Sequence, residues 1–173
     1  EMDRVGMIKC CSHTGYRTAC EILDQSQTPV IFSHSNARRL RDHPRNIPDD
    51  LIKACAATDG VVGINGVGLF LGEGEPTSDA FVRHVDYVSQ LVGAEHVALG
   101  LDYMFGGSGV GEPGRKSREL WPVEWGYRSG MGFLPPEAIP DIADGLVRLG
   151  YPPAAIRGIL GENLMRVAKI VWK

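Results

Sequence analysis

Several features of membrane-spanning, secreted and nucleic-acid-binding proteins are missing from this sequence. None of its apolar runs is long enough to cross a bilayer. The first residues, EMDRVGMIKCC, have neither the long apolar stretch nor the small-residue cleavage site of a signal peptide. The net charge of -3 gives no general attraction to nucleic acid or to an anionic membrane. We therefore expect no targeting segment in this chain, favour a cytoplasmic location and exclude nucleic acid as a partner.

The cysteine pattern also lacks a CxxC pair or any spacing typical of a disulfide framework. The four cysteines are Cys10, Cys11, Cys20 and Cys55, and the first two are adjacent, which is poor disulfide geometry. This pattern favours reduced thiols. Low-complexity tracts and close internal repeats are absent as well, so residues 1–173 are predicted to form a single piece with one sizeable core.

What the sequence does contain is a repeated alternation of strand and helix signals. The predicted strands are VGMIKCCSH, PVIFSHS, VVGING and HVALGLDY. We expect Thr14 to cap the first helix, and Pro48 and Gly60 to lie in the first turn and at the end of the second. A third helix, from about residue 78 to 91, has apolar residues at steps of four, three and four and ends at Gly93. Two or three further helices finish the chain.

Apolar strands that alternate with helices predict a parallel sheet that is buried on both faces. This α/β pattern fits either a doubly wound open sheet or a barrel built from strand–helix units. A complete barrel needs eight such units, and this chain has four. The sequence therefore predicts an open sheet or half of a barrel.

Polar residues lie at or near the carboxyl ends of the four predicted strands, namely His13, His34, Asn65 and Asp102. In both architectures active sites form at this edge of the sheet. His13 and His34 are one strand–helix unit apart, so we expect neighbouring strands, about 5 Å apart. Two imidazoles so placed could bind one zinc ion at about 2.1 Å, with Asp102 as a further ligand or a general base. A hydrogen-bonded structural role for each histidine is the alternative.

An arginine cluster follows His34 in the loop NARRLRDHPRN. Arg38, Arg39 and Arg41 are interpreted as residues of a solvated loop, because aromatic residues typical of a nucleic-acid surface are not interleaved with them. Arg45 lies next to the start of the following helix. It is the best placed to bind a substrate carboxylate through a bidentate pair.

The long segment MFGGSGVGEPGRKSRELWPVEWGYRSGMGFLPP follows the fourth strand and has no helical or strand periodicity. Its glycines do not have the spacing of a dinucleotide-binding fingerprint. We interpret it as a flexible loop over the site, with Trp121, Trp125 and Tyr127 in packing roles.

The other three histidines are weaker candidates for chemistry. His43 lies in the arginine loop. His84 lies inside the third helix, where the HVD triplet is interpreted as a packing or surface feature. His96 precedes the fourth strand on its amino side, away from the expected site, and is predicted to be structural.

The segments CSHTGYRTA, PVIFSHSNARRLRDHPRNIPDDLIKA, GVVGIN, HVALGLDY and GILGENLMRV resemble, in this order, the C-terminal half of the membrane (renal) dipeptidase family. Members of this family are zinc metallopeptidases of the amidohydrolase type. The resemblance covers nearly the whole chain, and the His-Ser strand end followed by HPRNIPDD is its most specific part. It implies the C-terminal half of a (β/α)8 TIM-like barrel, with four parallel strands and their helices.

The same resemblance implies roles for four residues. His13 and His34 would bind one zinc ion of a binuclear site. Arg45 would bind the carboxylate of a dipeptide substrate, and Asp102 would be the catalytic acid or base. The HxD pair and the bridging glutamate that complete the family's site belong to the N-terminal half of the barrel.

The chain departs from the family pattern just before the first histidine. Lys9 and Cys10 stand where the family usually has an apolar residue and an acid. Because the N-terminal half is absent, we expect this piece alone to be inactive. Because the edges of its sheet would be unpaired, we expect this piece alone to aggregate or to need a partner.

Three functional hypotheses follow from this reading. The first is zinc-dependent hydrolysis of dipeptides, with the missing half-barrel supplied by a second polypeptide, a separate segment or a second copy in a homodimer. The second is a non-catalytic half-barrel that binds at most one metal ion. The third is another amidohydrolase-type activity, such as hydrolysis of a lactone or an amide.

Overall fold

The protein is described by a computed structural model that covers residues 1–72, 76–105, 120–127 and 131–173. Four short parallel strands form one sheet in the order β1-β2-β3-β4. They are β1 Lys9–Cys10, β2 Val30–Phe32, β3 Val61–Ile64 and β4 Val97–Leu99. Each strand pairs with the next one along the chain, so β1 and β4 lie at the two edges of the sheet in the described part of the protein.

Helices connect and follow the strands as the alternating pattern predicts. They are α1 Met2–Val5, α2 Tyr16–Gln25, α3 Asp49–Ala57, α4 Gly68–Leu71, α5 Ser78–Val92, α6 Ile139–Arg148, α7 Pro153–Arg157 and α8 Asn163–Val171. Shorter helical turns cover Ala94–His96, Val123–Trp125, Pro136–Ala138 and Gly158–Glu162. In the residues that the structure describes, no helix is both long and apolar enough to cross a membrane.

Helix α5 has ordinary capping residues at both ends. The Thr77 side chain accepts a hydrogen bond from the amide of Ala80 at the start of α5, and Gly93, at φ 101°, ends that helix as predicted. The prediction that Thr14 caps α2 is wrong. Gly15 is the residue before that helix, and the Thr14 hydroxyl instead donates to the Cys11 carbonyl at 2.7 Å.

Helix α3 is displaced by a few residues from its predicted ends. Pro48 immediately precedes the helix instead of lying in its first turn, and the helix ends at Ala57, before Gly60. The amides of Thr58, Asp59 and Gly60 bond back to carbonyls of the last turn. These bonds close the helix, and Gly60 then leads directly into β3.

The main core lies between one face of the sheet and the helices α3, α5 and α6. Its largest fully buried side chains include Phe32, Ile64, Phe81, Ile142 and Leu146. The helix predicted from its apolar spacing, α5, buries its stripe here. Burial of side chains of this size contributes about 1.5–3 kcal/mol each.

A second, smaller cluster covers the opposite face of the sheet. Val61 and Ala98 of the strands pack against Val167 and Val171 of α8. The strands are therefore buried on both faces, which agrees with their continuous apolar sequences.

The unusual Lys9 in β1 has a local explanation. The residue is 8% exposed, and its ammonium group forms an ion pair with Asp3 and donates to the Thr28 hydroxyl at 2.7 Å. The hydrogen bonds from Lys9 and Thr28 lower the pKa of Asp3 to about 2. Because α1 supplies this partner, a lysine is accommodated in the strand.

Candidate metal and substrate site

Two histidines from neighbouring strand ends meet at the carboxyl edge of the sheet. His13 follows β1 and His34 follows β2, and the Nε2 atoms of the two rings lie 2.9 Å apart. The parallel pairing of β1 with β2 brings the two positions together. The sequence prediction that these imidazoles can reach a common point is consistent with this geometry.

The surroundings of both rings favour the neutral, metal-binding form. Burial lowers the pKa of His34 and outweighs the opposing charge of Asp102. Burial also lowers the pKa of His13, with smaller contributions from the charges of Arg45 and His34. Neutral imidazole is the form that ligates metal ions.

A hydroxyl group positions the second ring. The Ser33 Oγ atom lies 2.8 Å from Nδ1 of His34, and the Cys10 thiol lies 3.1 Å from the same hydroxyl and donates to it. With Nδ1 occupied by this partner, Nε2 of His34 faces His13. Metal-binding histidines usually have such a partner on the other ring nitrogen.

The backbone at two of the predicted site residues is in the left-handed region. Among the described residues, non-glycine residues with positive φ are His13 at 66°, Asp59 at 60° and Asp102 at 55°. Asp59 follows the end of α3, but the other two follow strands at the site edge. Such conformations in non-glycine residues concentrate at functional sites.

Arg45 extends from its loop to the histidine pair. Its guanidinium Nη2 atom lies 3.1 Å from Nε2 of His13, and its Cζ atom lies 5.5 Å from the centroid of the Phe70 ring. Burial lowers the pKa of Arg45, but the group stays charged at neutral pH. The structure thus brings the predicted carboxylate-binding arginine next to the predicted metal ligands.

The rest of the arginine loop is held by hydrogen bonds. Arg38 donates to the carbonyls of Asn46 and Pro44, at 3.0 and 3.1 Å, and Arg41 donates to the Leu69 carbonyl at 3.4 Å. The buried Asn46 amide donates to the Phe70 and Arg41 carbonyls. Arg38 and Arg41 therefore brace the loop instead of being merely solvated.

Asp102 faces the same site from the last strand. Its Oδ2 atom accepts a hydrogen bond of 3.0 Å from the side-chain amide of Asn65, which follows β3. The charge of Asp102 acts on the pKa values of His13, His34 and Arg45. The four predicted site residues therefore lie near one another, and Asn65 is the residue that bonds to the Asp102 carboxylate.

A zinc ion fits the donor set of the histidine pair. Two ligands at about 2.1 Å in tetrahedral geometry have nitrogen atoms about 3.4 Å apart, close to the 2.9 Å between the two Nε2 atoms. In the described part of the chain, no group of three or more His, Cys, Asp and Glu residues could hold a metal ion. The pair can thus supply part of a metal site, and further ligands must come from elsewhere.

A cavity of about 510 Å³ opens beside the histidine and the arginine. Its walls include His13, Arg45, Trp121, Trp125 and Tyr127. The prediction of a flexible loop over the site falls partly outside the described residues, but these three aromatic residues are described. They form one wall of this cavity.

Sequence reasoning underrated His43. This buried ring accepts a hydrogen bond from the Arg45 amide at Nδ1, 3.1 Å away, and its Nε2 atom lies 2.9 Å from the Trp125 carbonyl. It therefore connects the arginine loop to the aromatic wall. The sequence signal was the segment HPRNIPDD, which begins at His43 and was part of the most specific family resemblance.

The remaining histidines lie where the sequence places them. His84 is buried in α5 and bonds to the backbone of Ala37 and Leu71. The Nδ1 atom of His96 lies 2.8 Å from the Gly60 carbonyl, before the amino end of β4. Both histidines thus have packing or structural roles.

The parallel strands and their helices define an α/β half-barrel, with the paired histidines at the carboxyl edge of its sheet. The family model for the membrane dipeptidases, peptidase family M19, matches residues 1–115. The chain therefore belongs to the membrane dipeptidase family, which confirms the resemblance seen in its motifs.

The chain matches only part of the length of a known relative. It is 41% identical to an uncharacterized dipeptidase of Schizosaccharomyces pombe over 176 residues, which cover 100% of this chain and 37% of the relative. It spans little more than a third of the length of this relative.

Solved structures agree on the fold. An amidohydrolase from Pseudomonas aeruginosa superposes with a TM-score of 0.80 at 30% identity, covering 99% of this chain and 54% of the other. A metallopeptidase from Rhodobacter sphaeroides, liganded with a phosphinate mimic of the dipeptide L-Ala-D-Ala, has a TM-score of 0.73 at 21% identity and covers 98% and 44%. The predicted half of a (β/α)8-type barrel is thereby confirmed, and the open-sheet alternative is not needed.

Proposed function

We propose that this chain supplies half of the active site of a zinc-dependent dipeptidase. His13 and His34 would hold one zinc ion, Arg45 would bind the free carboxylate of the dipeptide, and Asp102 would act as acid or base. The observation that carries this proposal is the contact between the two Nε2 atoms, 2.9 Å apart, with the Arg45 guanidinium 3.1 Å from one of them.

The position of Arg45 favours a substrate with a free carboxylate. In a dipeptide, the carbonyl carbon of the peptide bond is three bonds from the carboxylate carbon. A guanidinium in contact with a metal-binding histidine can therefore hold the carboxylate while the peptide carbonyl reaches the metal site. The planar fork of arginine matches a carboxylate in two parallel hydrogen bonds.

The side chains of this chain orient the substrate and move a proton. When bound, zinc would polarise the peptide carbonyl and lower the pKa of water. Asp102 would accept a proton from the attacking water and return it to the leaving amine, and its hydrogen bond of 3.0 Å from Asn65 supports this role by holding the carboxylate. Arg45 meanwhile keeps the substrate from rotating out of line.

The remaining ligands are proposed to come from the half-barrel that this chain lacks. The chain spans about half of the matching solved structures, and in the described residues β1 and β4 are the edge strands of its sheet. A second segment that pairs with these edges would both close the barrel and bring the further ligands. The Rhodobacter sphaeroides neighbour, which binds a dipeptide mimic, supports the choice of substrate.

The test is hydrolysis of dipeptides by the zinc-loaded chain assembled with the rest of its barrel. We expect His34→Ala to remove zinc and to lower kcat/KM at least 100-fold, and Asp102→Asn to lower kcat with zinc retained. His96→Asn is the matched control, because His96 bonds to the Gly60 carbonyl away from the site. No hydrolysis, or hydrolysis that both substitutions leave unchanged, would contradict the proposal. A fully assembled protein that binds at most one metal ion and is inactive would support the non-catalytic alternative.

A further inference from the structure

An apolar wall stands beside the arginine in the cavity of about 510 Å³. Trp121 and Trp125 remain 37% and 47% exposed, although both line this cavity. Indole rings left open to a concave site next to a fixed cation are typical of ligand pockets, where apolar walls combine with a few polar anchors.

The wall is fixed in position relative to Arg45 by aromatic contacts. The Arg45 guanidinium lies over Phe70, and the Phe70 and Tyr127 ring centroids are 6.3 Å apart. Tyr127 in turn packs edge-on against Trp121, with ring centroids 5.1 Å apart. Tyr127 is only 7% exposed, and Tyr127 and Phe70 pack with Val67 in a small buried cluster.

A second link ties the wall to the same loop. His43 lies against Phe70 with ring centroids 4.9 Å apart, and it bonds to the Arg45 amide on one side and to the Trp125 carbonyl on the other. The carboxylate anchor and the aromatic wall are therefore parts of one braced unit. Their spacing is set before a substrate arrives, which reduces the cost of ordering on binding.

The charges of the cavity add a second criterion. The described residues that line it include the cations Arg38 and Arg45 but no aspartate or glutamate. Arg38 already donates to two backbone carbonyls. When Arg45 binds the substrate carboxylate, a basic side chain in this cavity would still lie near the charge of Arg38, and the described lining supplies no carboxylate to pair with it.

The substrate residue next to this wall is the one that bears the carboxylate. If Arg45 binds the carboxylate and the peptide carbonyl faces His13 and His34, the C-terminal residue lies between them. Its side chain then lies beside Trp121 and Trp125. We propose that the cavity selects dipeptides whose C-terminal residue is large and apolar or aromatic, and that it rejects basic ones; this inference rests on the proposed dipeptidase function.

The test compares substrates that differ only at the C-terminal residue. The assembled protein is assayed on Ala-Gly, Ala-Leu, Ala-Phe, Ala-Glu and Ala-Lys, and the C-terminal residue of each of the last four is supplied as either enantiomer. We expect kcat/KM for Ala-Phe and Ala-Leu to exceed that for Ala-Gly at least 10-fold, with Ala-Lys the poorest, because apolar pockets discriminate by factors of about 10 to 200.

Substitution of the wall provides the second arm. Trp121→Ala and Trp125→Ala should lower kcat/KM for Ala-Phe about 10-fold or more, mainly through KM, and should change Ala-Gly by less than about threefold. Trp172→Ala is the control, because Trp172 is 63% exposed at the far end of the chain and does not line the cavity. Circular dichroism verifies that each variant folds, and Trp121→Leu substitutes if the alanine variant does not.

The outcomes separate this inference from the proposed function. Three results would overturn the inference and leave the proposed dipeptidase function intact. They are similar rates for all five dipeptides, a preference for Ala-Glu, and an equal loss of kcat/KM for Ala-Phe and Ala-Gly in the wall variants. Absence of hydrolysis for every dipeptide would overturn the proposed function and the inference with it.

Discussion

The Nη2 atom of Arg45 and the Nε2 atom of His13 lie 3.1 Å apart. A loop residue and a strand-end residue, 32 positions apart in the chain, thus contact each other at the candidate site. The loop that carries Arg45 is closed by a parallel bridge between Ala37 and Ile47. Its geometry is therefore fixed by backbone pairing, and the arginine is presented to the site by a rigid turn.

Substitution of this arginine tests whether the substrate has a free carboxylate. Arg45→Lys keeps the charge but loses the bidentate fork, so we expect KM for a dipeptide to rise about 10- to 100-fold with a smaller change in kcat. Hydrolysis of the same dipeptide with its C-terminus amidated should be poor in both proteins. Arg39→Lys is the matched control, because Arg39 is an exposed arginine of the same loop.

An unchanged KM in Arg45→Lys and Arg45→Ala would exclude carboxylate recognition by this residue. The substrate would then be sought among lactones or amides that lack a free carboxylate. Activity on such compounds in the unmodified protein would support that third hypothesis.

The hydroxyl of Ser33 provides a test of metal binding that does not depend on turnover. Ser33 lies 2.8 Å from Nδ1 of His34 and accepts from the Cys10 thiol. Ser33→Ala should lower zinc affinity about 10- to 100-fold, because the imidazole loses the partner that fixes its tautomer and orientation. The measurement is competition with a chromophoric chelator.

Ser26→Ala is the control for this experiment. Ser26 bonds to the Ile22 carbonyl at the end of α2, away from the histidines. Zinc affinities that are equal in Ser33→Ala and in the unmodified protein would show that the hydroxyl does not support the ligand. Binding by His34 would then depend on the strand end alone.

Substitution by alanine should affect stability very differently at two of the glycines. A methyl group added at Gly63 in β3 would overlap the backbone carbonyl of Ser33, whereas one added at Gly15, before α2, has no heavy atom within 4 Å. Gly63→Ala should therefore lower the free energy of unfolding by about 1–3 kcal/mol or more, and Gly15→Ala should change it by less than about 0.5 kcal/mol. Urea unfolding of both variants measures the difference, and equal stabilities would contradict the close packing of β2 and β3.

The sequence predicted the alternation of strands and helices because each apolar segment had a clear period and clear end signals. It predicted that His13, His34 and Asp102 lie near one another because parallel strands bring their carboxyl ends to one edge, and it chose Arg45 from its position in the loop that follows His34. The sequence wrongly predicted that Thr14 caps α2, since a threonine hydroxyl can bond to a nearby carbonyl as readily as to a helix amide.

Contacts between segments distant in the chain were beyond sequence reasoning. His43 joins the arginine loop to the segment around Trp125, 82 residues later, and neither segment has a periodic pattern. The positive φ of His13 and Asp102 was not predicted either, although histidine and aspartate are among the non-glycine residues that adopt this region most often. Local signals thus indicated the candidate site residues, and long-range contacts determine how their side chains are held.

The buried His84 predicts a specific dependence of stability on pH. Its Nδ1 atom accepts from the Ala37 amide at 3.3 Å and its Nε2 atom lies 3.1 Å from the Leu71 carbonyl, so the neutral ring satisfies both contacts. Burial lowers the pKa of His84 to about 4, with a smaller contribution from the Arg83 charge. Protonation would place a second donor against the Ala37 amide.

The folded-state pKa of His84 therefore lies below the unfolded value of about 6.5. Between about pH 6.5 and pH 4 the unfolded chain binds a proton that the folded chain does not, so stability falls as the pH is lowered through this range. Because the folded-state pKa is about 4 and one pKa unit corresponds to about 1.4 kcal/mol, this residue can lower the free energy of unfolding by about 3 kcal/mol at most. Unfolding by urea at pH 7, 6, 5 and 4.5 measures this loss.

The variant His84→Gln isolates the contribution of this ring from other titrating groups. Glutamine cannot titrate but can donate to the Leu71 carbonyl. We expect the variant to be less stable than the unmodified protein at pH 7, and the difference to shrink as the pH falls toward 4.5. Stability curves that run parallel over this range would show that His84 binds its proton equally in the folded and unfolded states, and would contradict the buried neutral ring on which α5, the arginine loop and the end of α4 converge.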